Sequence, residues 1–264
     1  MCLIFFALNH HPNYDLILVA NRDEFYSRPT ASADYWTNRP DILAGRDLLD
    51  QTGNLPGTWL GMTKDGRMSM LTNYRDLRML KSSAPSRGQL VTNYLAGNAS
   101  AFDYLSEVQK NAQDYNGFNL IAGTVSKLYY YSNTSNGIQS LSPGIYGISN
   151  HLLETPWPKV TQGKEAFRKI VDQHNAIDPE QLVDFMKDGH RYEASQLPDT
   201  GVGLEREKML SSIYITSEDY GTRCTTVILA KKNGEVLFLE KTFVPEAGLA
   251  QFSFNIGANG KKDL

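Results

Sequence analysis

Cysteine is scarce in this chain, with two in 264 residues, at positions 2 and 224. A pair so far apart makes no disulfide framework, so the core must hold the fold, and a reducing, cytoplasmic setting is the default expectation. The five histidines (His10, His11, His151, His174 and His190) show no metal-ligand spacing with those thiols, and no metal or cofactor is called for. Positive charge is not in excess. Twenty-six basic residues against 29 acidic ones leave a net charge of -3, so there is no basic field to hold phosphate backbones and nucleic acid is excluded as a partner class. Long apolar runs are missing too, because nothing approaches the roughly 18 to 20 residues of a membrane-spanning helix. The opening run Leu3 to Leu8 lacks a charged leader and breaks at Asn9-His10-His11-Pro12, which makes it a strand rather than a signal peptide.

What is present is an ordinary globular composition, 41% hydrophobic, 11% aromatic and 21% charged, long enough to bury a sizeable core. No internal repeat, linker or charge block divides it, so residues 1–264 are expected to form one domain. Leu3 to Leu8 and Leu16 to Ala20 are short apolar runs joined by a turn-rich segment, the pattern of an antiparallel pair covered on both faces. Further strands are expected at 67–73, 118–124, 127–132, 145–149, 225–230 and 235–240, the last two joined by the Asn-Gly hairpin signal Lys231-Lys232-Asn233-Gly234.

Helices fall between the strand blocks. Ser86 with Gln89 reads as a capping box, followed by Leu90, Val91, Tyr94 and Leu95 on one face and Gly97 as the stop. Ser100 begins another helix, with Tyr104, Leu105 and Val108 inward. A third runs from Lys159 to Gln173 with Val160, Phe167, Ile170 and Val171 at helical spacing, and Asp178-Pro179 opens a fourth, closed by Gly189. Residues 195–208 are polar and without period, the pattern of a surface loop. This order is not the strict alternation of a parallel sheet; it predicts an α+β fold with antiparallel sheets and helices segregated outside.

The thiol at position 2 has a plain reading as a small buried hydrophobe. Its sharper reading is an N-terminal nucleophile: with Met1 removed, Cys2 carries both a thiol and an α-amine of ordinary pKa roughly 7.7 to 8.0, nucleophile and base in one residue. The stretch "ANRDEFYSRP" (20–29) ends an apolar strand in four polar residues. An antiparallel hairpin returns the end of its second strand to the start of its first, which puts Asn21 to Glu24 beside Cys2. There Arg22 favours the thiolate, and Asp23 accepts from the α-ammonium or orients the amine. Cys224 reads as a core residue, His10 and His11 as surface residues of the hairpin connection. A single axial histidine for haem iron leaves no spacing signature. Trp36, Trp59, Tyr74, Phe118 and Trp157 are core candidates, some of them able to line an apolar pocket.

Six blocks in order, "MCLIFFALNHHP…LILVANRDEFYSRPT", "AGRDL", "GTWLGMTKDGRMSMLTNYRD", "GFNLIAG", "PGIYGISNHLLETPWPKV" and "GTRCTTVIL", resemble the NRDE-motif family, also called the transport and Golgi organisation family. That family in turn is similar to N-terminal-nucleophile hydrolases with a cysteine at position 2, which implies a four-layer αββα sandwich and attack on a small non-peptide amide or thioester. Carried onto this sequence, the resemblance implies Cys2 as nucleophile and Arg22 with Asp23 as the supporting pair. Because Arg22 and Asp23 adjoin here, either Asp23 or Glu24 could face the amine. It further implies Asn73 and Asn150 as oxyanion or substrate donors and Arg223 as a late arginine near the sulfur. The same resemblance implies a rival class, a non-catalytic binding or trafficking protein for haem, lipid or acyl-coenzyme A.

Overall fold

In the computed structural model, residues 2–50, 54–173 and 176–257 are described. Their strands are β1 (Cys2–Leu8), β2 (Tyr14–Phe25), β3 (Thr30–Trp36), β4 (Arg39–Asp47), β5 (Leu60–Thr63), β6 (Arg67–Asn73), β7 (Phe118–Thr124), β8 (Lys127–Ser132), β9 (Gln139–Ser140), β10 (Gly144–Ile148), β11 (Tyr220–Lys231), β12 (Glu235–Thr242) and β13 (Gly248–Asn255). Five α-helices accompany them: α1 (Gly88–Ala96), α2 (Ala101–Lys110), α3 (Pro158–Val171), α4 (Pro179–Phe185) and α5 (Leu204–Met209). Two antiparallel sheets result, one ordered β10-β1-β2-β11-β12-β13 and the other β3-β4-β5-β6-β7-β8-β9.

The period of two in β1 explains how the layers stack. Ile4, Phe6 and Leu8 point between the sheets, where they meet Leu43, Met62, Met70 and Ile121 of the second sheet. Leu3, Phe5 and Ala7 point the other way, onto Phe167, Val171 and Val183 of α3 and α4. A strand apolar on both faces therefore lies inside a sandwich, and each fully covered phenylalanine contributes about 1.5–3 kcal/mol of burial. The outer face of the second sheet is closed by Leu90, Val91, Tyr94 and Leu105 of α1 and α2. The layers run helix, sheet, sheet, helix, as the sequence implied.

Some local expectations needed correction. Ser86 does not cap α1: its hydroxyl donates to Asp50, and the residue before the helix, Arg87, makes no capping bond. By contrast Ser100 accepts from the Asp103 N–H and Asp178 from the Glu180 N–H, as their positions suggested. α4 ends at Phe185, before Gly189. The expected surface loop 195–208 instead carries α5, and its Glu207 is buried against Arg75. His11 is buried rather than exposed, edge-on to the Tyr14 ring, while His10 reaches Asp172. Among the described residues no helix is long and apolar enough to cross a membrane.

Candidate active site

Register places the NRDE stretch. β1 and β2 pair so that Cys2 stands opposite Arg22, and β11 lies on the far side of β2 with Cys224 opposite the same arginine. Since cross-strand partners share a face, Cys2, Arg22 and Cys224 form a row on the face turned to the second sheet. Asn21 and Asp23 point to the helix layer instead. The Asn21 amide donates to the Met186 and Ile213 carbonyls and its oxygen accepts from Thr225, so it is a structural bolt. Asp23 accepts from Thr222 Oγ1 at 2.7 Å, and its carbonyl accepts from Tyr220.

A cavity of about 410 Å³ opens beside Cys2, bounded by Arg22, Asp23, Glu24, Trp59 and Asn73 among others. The Arg22 guanidinium lies 4.1 Å from the centre of the Trp59 ring and donates to Thr30 Oγ1 at 3.1 Å. Gly45 makes room for that indole, because a Cβ there would sit 2.3 Å from a Trp59 ring carbon. Asp47 of the same "AGRD" stretch takes the Arg28 Nε at 2.8 Å and stands 3.9 Å from Arg22. Arginine, indole and carboxylate thus fix one another beside the thiol.

Burial pushes the Cys2 thiol up from its ordinary value; Asp23 adds to the rise and Arg22 opposes it. Burial also pushes the Asp23 carboxyl up, against the pull of Lys159. Lys159, 2% exposed at the start of α3, is lowered to about 8 by burial against the pull of Asp23, and its Nζ donates to the Leu210 carbonyl. For Glu24, burial would raise the carboxyl, yet it ends below its usual range because the Phe25 N–H, Arg22 and Arg28 favour its anion. Asp23 and Glu24 therefore face different layers, the first toward α3 and the second toward arginines.

The structure gathers Cys2, Arg22, Asp23 and Asn73 around one cavity and leaves two expected residues off its wall. The Asn73 side chain has no partner among the described residues. Asn150 is fully buried and its Nδ2 donates to the Asn73 carbonyl at 3.1 Å, so it holds the end of β6. Arg223 lines a second cavity with Cys224. Sequence reasoning missed Asp47, Arg87 and Lys159; the first and last lie inside quoted blocks and Arg87 between two of them, but a single charged side chain carries no periodicity to mark it. Met1, on whose removal the expected base depends, lies outside the described residues.

Replacing Arg22 by Ala is expected to slow alkylation of Cys2 by iodoacetamide near neutral pH about tenfold, for one unit of thiol pKa. Arg28→Ala, which removes a cation farther along the same wall, is the control. Peptide mapping distinguishes Cys2 from Cys224, and equal rates in the two variants would sink the claim.

Two facing antiparallel sheets clad by helices form a four-layer αββα sandwich of N-terminal-nucleophile type, and a cysteine heads an interior strand of one sheet. A solved variant of the conjugated bile acid hydrolase of Clostridium perfringens superposes with a TM-score of 0.51 at 10% identity, covering 96% of this chain and 97% of that one. The family model for Transport and Golgi organisation 2 matches residues 1–245, and the chain belongs to that family. The human Transport and Golgi organization protein 2 homolog is 40% identical over 261 residues, spanning 92% of this chain and 94% of its own length. The Drosophila melanogaster protein of that name is 30% identical over 92% of each chain.

Proposed function

We propose that this chain is an N-terminal cysteine amidohydrolase or acyltransferase acting on a small non-peptide amide or thioester. The observation that carries the reading is the joint placement, on the wall of one cavity, of a thiol at the head of β1 and an asparagine amide that has no partner among the described residues. The bile acid hydrolase whose fold this chain shares is named for cleaving a conjugate, which is consistent with that class.

With Met1 removed, the freed α-amine takes the proton of Cys2 Sγ as the sulfur attacks the carbonyl carbon. The resulting oxyanion accepts from the Asn73 amide, and its charge is favoured by the nearby guanidinium of Arg22. Collapse breaks the bond to the leaving group, which takes the proton back from the α-ammonium. A thioester on Cys2 remains, and water or another acceptor releases the acyl group. Asp23, held by Thr222, steadies the ammonium from the helix side. Asn150 acts at one remove, by fixing the carbonyl of Asn73 and thus the strand end that carries its amide.

The test is burst release from activated amides and thioesters, with the acyl group located on Cys2 by intact mass and peptide mapping. Asn73→Ala is expected to lower the acylation rate roughly 100-fold while leaving the melting temperature within a few degrees, since its side chain has no partner among the described residues. Asn150→Ala is expected to lower both, because its amide is buried and occupied. No acyl adduct, together with haem or lipid binding by the same sample, would favour a carrier instead.

A further inference from the structure

Behind Arg22, on the side away from Cys2, lies a second cavity of about 200 Å³. Its floor is a β-bulge. Thr222 pairs with Asp23 and Cys224 with Arg22, so Arg223 is an extra residue whose side chain leaves the ladder's alternation. The bulge is pinned through its carbonyl, which accepts from the Phe243 N–H at 2.8 Å.

Arg223 is only 4% exposed, yet no carboxylate of the described residues forms an ion pair with it. Its Nη1 donates to the Phe25 and Arg28 carbonyls. Its Nε is buried with no partner, and Nη2 has none among the described residues. A guanidinium taken out of water is costly to leave without a counter-charge, and five fixed donors suit a carboxylate. Around it stand the hydroxyl of Thr30, which donates to the Arg28 carbonyl, and those of Ser32 and Thr242, which share one bond at 3.2 Å and so leave one proton between them for a ligand, with an apolar lip of Ala31, Val244 and Pro245.

We propose that this cavity is a binding site for a small carboxylate with an apolar body, its anionic head on the Arg223 guanidinium. Two glutamates also line the cavity. Glu240 is 1% exposed and committed inward, accepting from the Ala33 N–H at 2.7 Å with Cys224 Sγ at 3.6 Å and Thr226 Oγ1 at 3.5 Å. Burial pushes its carboxyl up, which weakens its repulsion of an incoming anion. Glu246 lies on the exposed segment after β12, beside the lip residues. The site does not depend on whether Cys2 reacts.

Benzoate is the probe, with benzamide, its neutral isostere, as the reference at matched ionic strength, both titrated into the whole protein by calorimetry. Wild-type protein is expected to bind benzoate and to bind benzamide at least about tenfold more weakly, the loss of one charge-assisted contact. Arg223→Gln, which retains a donor for the two carbonyls, is expected to weaken benzoate by the same factor. Ser32→Asp keeps Arg223 and places a negative charge at an exposed lining position, so it tests the site even if the first variant fails to fold. Arg87→Gln, in the cavity beside Cys2, should leave the affinity unchanged. Equal binding of benzoate and benzamide, absence of binding, or loss in Arg87→Gln with retention in Ser32→Asp would each overturn the assignment.

Discussion

Acyl-enzyme formation is expected only in a sample that begins at Cys2. A peptide nitrogen ahead of Cys2 is planar, with its lone pair delocalised into the carbonyl, so it takes no proton from sulfur; the free α-amine, of ordinary pKa roughly 7.7 to 8.0, does. Burial makes the need sharper. Because the surroundings push the thiol up, little thiolate exists at neutral pH without a base at hand. The comparison uses one sample with Cys2 exposed by protease cleavage of a removable tag and one with an uncleavable extension, both treated with the same activated thioester. Intact mass should show an adduct on Cys2 in the first and at least roughly 100-fold slower acylation in the second, with matching melting temperatures. Equal acylation in both would show that the amine is dispensable.

The largest loss of stability is expected from Glu207→Ala. Glu207 and Arg75 are 3% and 6% exposed and meet at 2.7 Å, and the other carboxylate oxygen accepts the backbone N–H and hydroxyl of Thr200. Arg75 also donates to Thr200 through Nε, and its ring-facing side lies 4.7 Å from the centre of Trp157. Removing the carboxylate leaves a buried cation, at a cost of about 3–5 kcal/mol. Denaturant titration reads this as a lower midpoint at unchanged slope. The double variant Glu207→Leu with Arg75→Met should recover most of the loss, since it removes both charges together. A single variant within about 1 kcal/mol of wild type would mean that water reaches the arginine. The Arg75 N–H donates to the Asn150 carbonyl at 2.7 Å, so the same lesion should also disturb the strand end that carries Asn73.

Strands with an uninterrupted apolar signature were legible. β6, β7 and β8 fall where the sequence put them, and the hairpin at Asn233-Gly234 forms with Gly234 at φ 96°, a backbone conformation that suits glycine. β3, β4 and β13 were not legible, because their runs mix charged, small and aromatic residues and gain strand character from their neighbours. β5 is only four residues long. At the candidate site, the hairpin argument correctly placed Arg22 across from Cys2, a consequence of register alone. It could not reveal that Arg22 and Asp23, adjacent in sequence, address opposite layers, nor that Arg223 sits in a bulge. The first required β2 to continue through Phe25, where the sequence reading ended the strand at the polar residues, and the second depends on a register that only the folded sheet fixes. Asn150 was found for the right neighbourhood, since its side chain reaches Asn73, but a buried amide with a backbone partner looks the same in sequence as a free one.

The interior position of β1, between β10 and β2, also constrains timing during synthesis. β1 and β2 are made first, yet the six-stranded sheet cannot close around them until β10 and β11 have left the ribosome, more than a hundred and two hundred residues later. At roughly 5–20 residues per second the wait is on the order of ten to forty seconds. In the finished molecule Cys2 is 7% exposed and hydrogen-bonded through its carbonyl to Ser149. An aminopeptidase that trims the first methionine therefore has its best access to the nascent chain, and on the proposed mechanism the freeing of the Cys2 amine becomes a race against the closing of the sheet.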